Sequence, residues 1–152
     1  MTILLFLQST PSFASAQSYS ACKASPGSSS WPSSQDWYAL GLKLSGRLLK
    51  PTPPGAVCHP ELPEYNNATC ATVVEEWYKV DYYATDPISS PWSNWNNDSC
   101  LPWTGSPCTG EGFPVYVVNA TSKEDVKTGV DFARNHNVRL VVKGTGHDYL
   151  GR

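Results

Sequence analysis

The residues with the widest chemical range lie together near the end of the chain. An amine, an imidazole and a carboxyl group stand beside two glycines in the stretch Lys143-Gly144-Thr145-Gly146-His147-Asp148. Glycines let several backbone N–H groups approach an anionic ligand without a Cβ clash. A histidine can ligate a metal or, when neutral, act as a nucleophile. This stretch is the candidate site, and the rest of the sequence has to indicate its ligand.

A strand, a helix and a second strand are predicted to position this stretch. Residues 113–119 and 138–143 are rich in β-branched and apolar side chains, which is typical of buried strands. Ser122 is a candidate N-cap with Asp125 as its capping-box acid, and residues 135–137 end the helix. The helix positions expected to face the core are Val126, Val130 and Ala133. The crossover is expected to be right-handed and the strands parallel, so the loop lies at the carboxyl end of a strand, where α/β proteins bind ligands.

Before this unit the sequence predicts two amphipathic helices and a long loop. The turn sequence PTPPG ends a run from Ser34 in which helical spacing separates Trp37, Leu40, Leu44 and Leu48. After Thr69 a second apolar face consists of Cys70, Val73, Val74, Trp77 and Tyr78. Residues 86–112 are rich in Pro, Ser, Asn and Trp, which is typical of a loop. The predicted fold class is α+β, with an N-terminal helical segment followed by a βαβ unit.

The composition argues against two classes of partner. Charged residues make up 16% of the 152 residues and the formal net charge is -2, so no basic surface for nucleic acid or anionic membranes is expected. No apolar run approaches the roughly 20 residues of a membrane span. Six Trp, eight Tyr and thirteen Pro instead favour a compact, loop-rich extracellular domain.

The N-terminus and three tripeptides predict export from the cell. Residues 1–16 contain a short apolar core and end in Ala-Ser-Ala, which resembles a signal peptide cleaved after Ala16. N-glycosylation sequons begin at Asn67, Asn97 and Asn119. The predicted location is therefore secreted, or extracellular.

The five cysteines are predicted to form disulfides rather than a metal site. They lack CxxC pairs, and the histidines do not stand at zinc-finger spacing. Disulfides are the expected state of such cysteines in an exported chain. Cys100 and Cys108 bracket a turn-rich loop that is short enough for a local bridge. Of Cys22, Cys58 and Cys70, two can pair within this chain, and the sequence does not select which.

Three interpretations of the terminal loop follow from its residues alone. A dinucleotide loop of the GxGxxG type fails because Tyr149 occupies the position of the third glycine. A metal site is disfavoured because the adjacent His147 and Asp148 point apart on an extended loop, without an obvious third ligand. A tight turn in which His147 makes only local hydrogen bonds stays open.

A fourth interpretation comes from a resemblance that covers nearly all of the chain after residue 16. The stretch VYVVNATSKEDVKTGVDFARNHNVRLVVKGTGHDYLGR resembles the start of the PCMH-type FAD-binding domain of vanillyl-alcohol oxidase and berberine-bridge-enzyme relatives. Upstream, WPSSQDWYALGLKLSGRL, CHPELPEYNNATC and CLPWTGSPC resemble secreted fungal FAD-linked oxidases of this group. The resemblance implies a signal peptide (1–16), a helical, disulfide-containing extension (17–110) and the start of the FAD-binding domain (111–152).

The resemblance assigns the terminal loop to FAD. It implies that residues 143–148 contact the cofactor and that their backbone amides surround its pyrophosphate. His147 would bond covalently to the methyl carbon on the benzenoid edge of the flavin, which makes the flavin a stronger oxidant and prevents its loss. Neither a metal nor a catalytic residue is expected within these 152 residues.

The predicted function is that of the N-terminal part of a secreted FAD-dependent oxidoreductase. Such enzymes transfer a hydride from an alcohol or sugar carbon to the flavin and commonly pass the electrons to molecular oxygen. The expected partners are therefore a small alcohol or carbohydrate substrate and oxygen, with neither nucleic acid nor a membrane. The alternative is a non-catalytic secreted glycoprotein, or an inactive piece, that keeps the scaffold without a cofactor.

Overall fold

Four α-helices and one two-stranded sheet form the regular structure of residues 22–103 and 105–147, the part of the chain that the computed structural model describes. The helices are α1 (Ser34–Lys43), α2 (Asn67–Glu76), α3 (Val80–Thr85) and α4 (Lys123–Asn135). The strands are β1 (Leu48–Leu49) and β2 (Val117–Val118), and 3₁₀ turns span Pro54–Cys58 and Ser93–Asn96. The predicted signal peptide and Asp148 lie outside the described residues. No helix of the described part is long and apolar enough to cross a membrane.

Helix α1 begins at a capping box and ends in a Schellman turn. The Ser33 hydroxyl accepts a hydrogen bond from the backbone N–H of Asp36, and the Asp36 carboxylate accepts one from the backbone N–H of Ser33. At the other end Gly46 takes φ +84, and its N–H donates to the carbonyl of Gly41. The helix therefore stops before Leu48, which the spacing predicted to be its last apolar position and which enters β1 instead.

The first hydrophobic core forms where α1 packs against α4 and the sheet. Its buried residues are Trp37, Leu40 and Leu44, surrounded by Trp31, Leu48, Tyr116, Val118, Phe132 and Val138. Trp37 stacks on Tyr116 with ring centroids 4.0 Å apart, and its centroid lies 4.7 Å from that of Phe132. β1 and β2 pair antiparallel, with Leu48 opposite Val118. Residues on both sides of the predicted boundary at residue 110 thus contribute to one core.

Helix α4 begins and ends where the sequence predicts. The Ser122 hydroxyl accepts from the N–H of Asp125 at 3.1 Å, and the Asp125 carboxylate accepts from the N–H of Ser122 at 3.1 Å. At the other end Asn137 takes φ 54, and the N–H of Val138 donates to the carbonyl of Ala133 at 2.9 Å. Both ends are therefore fixed by residues close in sequence.

The buried face of α4 differs from the predicted one. Ala133 is buried as expected, but Val126 is 54% exposed and Val130 is 42% exposed. The helix instead turns Asp125 and Phe132 inward, because an ion pair and a cluster of aromatic rings hold that side against the rest of the protein.

The second hydrophobic core joins α2, α3 and the long loop that follows them. Its buried residues are Cys58, Val73, Trp77 and Tyr83, with Val57, Cys70, Tyr82, Leu101 and Trp103 packed against them. Within the predicted apolar face of α2, Val73 and Trp77 are buried. Val74 is 39% exposed and Tyr78 is 83% exposed, because the helix ends at Glu76 and Tyr78 lies beyond it.

The segment predicted to be the second strand of the βαβ unit is almost unpaired within the described residues. Val138 forms one parallel bridge with Ala24, and residues 139–143 join no sheet. The exposed fractions are 49%, 63% and 82% for Leu140, Val141 and Val142. A strand needs a neighbour for its backbone hydrogen bonds, and the described chain offers one only at Val138. The two predicted strands are therefore not paired with each other, and β2 pairs with β1 instead.

Candidate functional site

The glycine loop is an exposed turn whose backbone N–H groups have no partner among the described residues. Gly144, Thr145 and His147 are exposed, and Gly146 takes φ +78, which would strain any other residue. Within the described residues, the backbone N–H groups of 144–147 donate no hydrogen bond. A Cβ added at Gly144 would meet no atom within 4 Å, so the space beside the turn is open. Such a run of N–H groups suits an anionic ligand.

The amine at the start of the loop is bound by backbone carbonyls of another segment. The Lys143 Nζ donates to the carbonyl of Tyr83 at 2.6 Å, to that of Ser89 at 3.2 Å, and also to that of Asp86. An ammonium has three N–H donors, so these three carbonyls occupy all of them. Removal of the amine from water lowers the pKa of Lys143, while the Asp86 carboxylate opposes that shift. Lys143, which the resemblance assigns to FAD binding, therefore binds the end of α3 and the turn after it.

The other end of the loop rests on the same helix. A Cβ added at Gly146 would lie 2.9 Å from the Cα of Ala84 and 2.8 Å from the Cε of Lys143. Glycine is therefore required at this position by the close approach as well as by its φ angle. Lys143 and Gly146 together seat the loop on α3, and His147 stands exposed just beyond them.

The described cysteines include two disulfides. Cys100 pairs with Cys108 as predicted, and Cys58 pairs with Cys70, a choice that the sequence left open. Among the described residues, one cluster of potential metal ligands combines His59 with Cys100 and Cys108. Because the two sulfurs of that cluster are bonded to each other, neither is a thiolate available to a metal.

The asparagines of the three sequons are exposed. Asn67 is the first residue of α2, Asn97 follows a 3₁₀ turn with φ 60, and Asn119 follows β2. Attachment of a bulky glycan requires an exposed side chain, and all three positions meet that condition.

An ion pair that the sequence did not reveal holds the start of α4. Arg47 donates from Nη2 to Oδ1 of Asp125 at 2.6 Å and from Nε to Oδ2 at 3.1 Å, a bidentate arrangement. The backbone N–H groups of Thr121 and Ser122 donate to the same carboxylate. The Arg47 guanidinium first, and then the Thr121 N–H and the Ser122 side chain, hold the pKa of Asp125 well below its usual range. The pair ties the turn before β1 to the first turn of α4.

Comparisons with known proteins indicate what kind of protein carries this loop. The chain is 41% identical over 141 residues to the FAD-linked oxidoreductase orf1 of Neocamarosporium betae, which covers 88% of this chain and 24% of that protein. It is 38% identical over 139 residues to the VAO-type flavoprotein oxidase VAO615 of Thermothelomyces thermophilus, with 87% of this chain and 24% of that protein covered. The crystal structure of the VAO-type flavoprotein MtVAO615 from Myceliophthora thermophila C1 matches with a TM-score of 0.78 and 38% identity, over 86% of this chain and 25% of that one. The homologues of this chain are therefore fungal FAD-linked oxidoreductases and VAO-type flavoproteins.

A second solved VAO-type structure agrees with this assignment. MtVAO713 from the same source matches with a TM-score of 0.75 and 35% identity, over 86% of this chain and 24% of that one. No protein-family model matches the chain. The chain spans about a quarter of the length of the curated relatives it matches.

The loop has the features that a phosphate group as ligand requires. Its backbone N–H groups lack partners within the described residues, its first glycine borders open space, and its histidine is exposed. Backbone N–H groups of this kind match phosphate oxygens in shape and charge.

Sequence reasoning missed the contacts that hold the loop against α3 and the turn after it. The contacts to Lys143 are made by backbone carbonyls of Tyr83, Asp86 and Ser89, which would be present whatever the side chains were. No residue pattern therefore signals them.

Proposed function

We propose that this chain supplies the N-terminal part and the beginning of the flavin-binding region of an FAD-dependent oxidoreductase, with His147 as the covalent attachment point of FAD. The observation that carries the proposal is an exposed histidine directly after a glycine turn whose N–H groups have no partner among the described residues. Similarity to VAO-type flavoproteins supports FAD as the ligand.

Each part of the loop has its own task in this proposal. The backbone N–H groups of 144–147 bind the pyrophosphate, which the glycines allow to approach closely. His147 would hold the cofactor covalently: one ring nitrogen would replace a hydrogen of the methyl group at the benzenoid edge of the flavin. The N–H and C–H protons would be released, and the two electrons would pass through the flavin to molecular oxygen, the proposed acceptor. The link would prevent loss of the cofactor. Bound FAD supplies the hydride acceptor, while the protein binds and orients it.

The proposed substrate is a small alcohol or carbohydrate, and the proposed electron acceptor is molecular oxygen. The relative VAO615 is a flavoprotein oxidase by name, which supports oxygen as acceptor. No residue of the described chain is assigned to substrate contact in this proposal.

Replacement of the histidine tests the proposal. In protein expressed from its complete reading frame, the wild type is expected to give a flavin-fluorescent band on a denaturing gel, and His147→Ala is expected to lose it. The variant should keep some flavin that denaturation releases, because the backbone N–H groups remain. His136→Ala is the matched control: His136 caps α4 and packs on Phe132 with ring centroids 4.3 Å apart, so the band should persist.

Two results would contradict the proposal. A fluorescent band that survives in His147→Ala would place the attachment on another residue. A wild-type protein with no such band would exclude covalent attachment, and failure to bind added FAD as well would favour a scaffold without a cofactor.

We also propose that the protein is secreted. The two disulfides support passage through an oxidising compartment, where such bridges form and persist. The exposed asparagines of the three sequons are compatible with glycosylation in the same compartment.

A further inference from the structure

The carbonyl oxygens around the Lys143 ammonium come from a helix end and the turn after it. Tyr83 lies in the last turn of α3, Asp86 is its C-cap, and Ser89 lies three residues further on. The last carbonyls of a helix have no partner within it and carry the negative end of its dipole. Lys143 supplies a positive partner to the Tyr83 carbonyl from 60 residues further along the chain.

The turn that presents these carbonyls has contacts of its own. The Asp86 carboxylate oxygen Oδ1 accepts from the backbone N–H of Ile88 at 3.1 Å and from that of Ser89 at 2.8 Å. Ile88 is 5% exposed and Ser89 is 6% exposed, so the turn is anchored in the protein. The carbonyls that Lys143 reaches are therefore held in place by neighbouring structure.

The loop contacts the end of α3 and the turn after it at two points. Lys143 is fixed by its ammonium, and the backbone of Gly146 lies against Ala84 so closely that a Cβ could not be added there. The residues between the two contacts are exposed, and so is His147 immediately after the second. The orientation of the His147 imidazole therefore depends on both contacts.

We infer that Lys143 is a positioning residue, which clamps the glycine loop to the end of α3 and so orients His147 and the loop N–H groups toward FAD. The inference rests on the function proposed for the loop. It separates Lys143 from the groups that contact phosphate, because all three N–H donors of its ammonium are used on backbone carbonyls.

Lys143→Met tests the clamp, because it removes the ammonium and keeps an unbranched side chain of similar length. Two measurements are made on protein from the complete reading frame: amide hydrogen exchange in residues 80–90 without added flavin, and the covalent flavin fraction on a denaturing gel. Loss of the charged hydrogen bonds should speed exchange in residues 80–90 about tenfold. The covalent flavin fraction should fall, and Lys143→Arg, which keeps a charged donor, should restore part of both properties.

Lys123→Met is the matched control, since the Lys123 side chain is 91% exposed and lies on α4. It should change neither measurement. Gly146→Ala tests the second contact with Lys143 intact and serves if Lys143→Met does not fold. The added methyl group has to displace the loop from Ala84, so the covalent flavin fraction should fall.

Three outcomes would overturn the inference. If amide exchange in residues 80–90 is unchanged in Lys143→Met, Lys143 does not clamp the loop to α3. If exchange is faster but the covalent flavin fraction is unchanged, Lys143 does not position His147. An unchanged covalent flavin fraction in Gly146→Ala would show that the seat does not orient the histidine. A wild-type protein without covalent flavin would instead overturn the proposed function, and it is recognised separately because the exchange comparison uses no flavin.

Discussion

Two charged side chains hold helix ends in this protein across long stretches of sequence. Arg47 pairs with Asp125, 78 residues away, at the start of α4. Lys143 reaches the carbonyl of Tyr83, 60 residues away, near the end of α3. Arg47 binds the carboxylate that caps the N-terminus of α4, whereas Lys143 supplies donors to carbonyls at the C-terminal end of α3. Removal of one partner from the buried Asp125 pair would leave a carboxylate without its main donor.

Asp125→Asn should lower the melting temperature of the protein near neutral pH and have a smaller effect in acid. The pKa of this carboxyl in the folded state lies below its ordinary value of 3.8. Its contribution to stability is therefore complete above that value and is lost as the pH falls through the folded pKa. Melting temperatures of both proteins, followed by circular dichroism, should differ by a constant amount at about pH 6–7 and begin to approach each other only below about pH 4.

Glu124→Gln is the control for this prediction, since Glu124 stands in the same helical turn and its side chain is 70% exposed. Its melting temperature should follow the wild type at every pH. If the melting temperatures of Asp125→Asn and the wild type differ by the same amount from neutral pH into acid, the charge of Asp125 is not the cause of the difference.

At the scale of elements, each short helix depends on burial of a few side chains. α1 contributes Trp37 and Leu40 to the first core, and its C-cap residue Leu44, which is 0% exposed, joins them. Leu42 in the same helix faces solvent at 64% exposed. The two leucines therefore offer a direct comparison of a core position with a surface position.

Leu44→Ala should lower the free energy of unfolding by about 2–5 kcal/mol, because it removes buried methyl groups and leaves a cavity. Leu42→Ala should change it by no more than about 0.5 kcal/mol. Urea unfolding of the two variants checks both values, provided that the slope of free energy against urea stays the same. Equal losses in the two variants would mean that α1 does not pack as described.

The helix ends could be predicted from the sequence because a cap is formed by residues a few positions apart. Ser122 and Asp125 are such a pair, and Asn137 supplies the left-handed residue at the other end. The β1–β2 pairing could not be predicted, because Leu48 also continued the helical spacing and a strand of two residues has almost no periodicity. The inward face of α4 was predicted wrongly because the choice depends on Arg47, which is distant in sequence.

The candidate loop was visible in the sequence for a different reason. Two glycines and a histidine mark it as a candidate from residue types alone, and the family resemblance supplies the expected ligand. The seat of the loop on α3 was not visible, because backbone carbonyls and the neighbour of Gly146 leave no trace in residue types.

At the scale of the whole molecule, the two cores are stabilised in different ways. Both disulfides belong to the region of the second core, whereas the first core is built from aromatic and aliphatic packing. The backbones of the two disulfide-bonded segments approach each other closely at Gly55, since a Cβ there would lie 2.2 Å from the carbonyl oxygen of Cys100. The second core is thus the part of the described structure that depends on an oxidising environment.

Expression in a fungal host tests the proposed secretion. The protein recovered from the medium should begin at Gln17 and lose mass on treatment with an N-glycosidase. Each of Asn67→Gln, Asn97→Gln and Asn119→Gln should remove one glycan. Asn135→Gln, an exposed position outside any sequon, should remove none. Protein that stays in the cells with an intact Met1 and no glycan would contradict the proposal.

The contact between the two ends of the described chain also sets an order of events during synthesis. The Asn137 side chain donates to the carbonyl of Cys22 across 115 residues, next to the bridge between Ala24 and Val138. At the usual rate of translation these residues are made roughly 6–23 s apart. Cys58 and Cys70, only 12 residues apart, are both available long before that. During synthesis the Cys58–Cys70 disulfide can therefore form in the second core before residues 137 and 138, which bind Cys22 and Ala24, have been made.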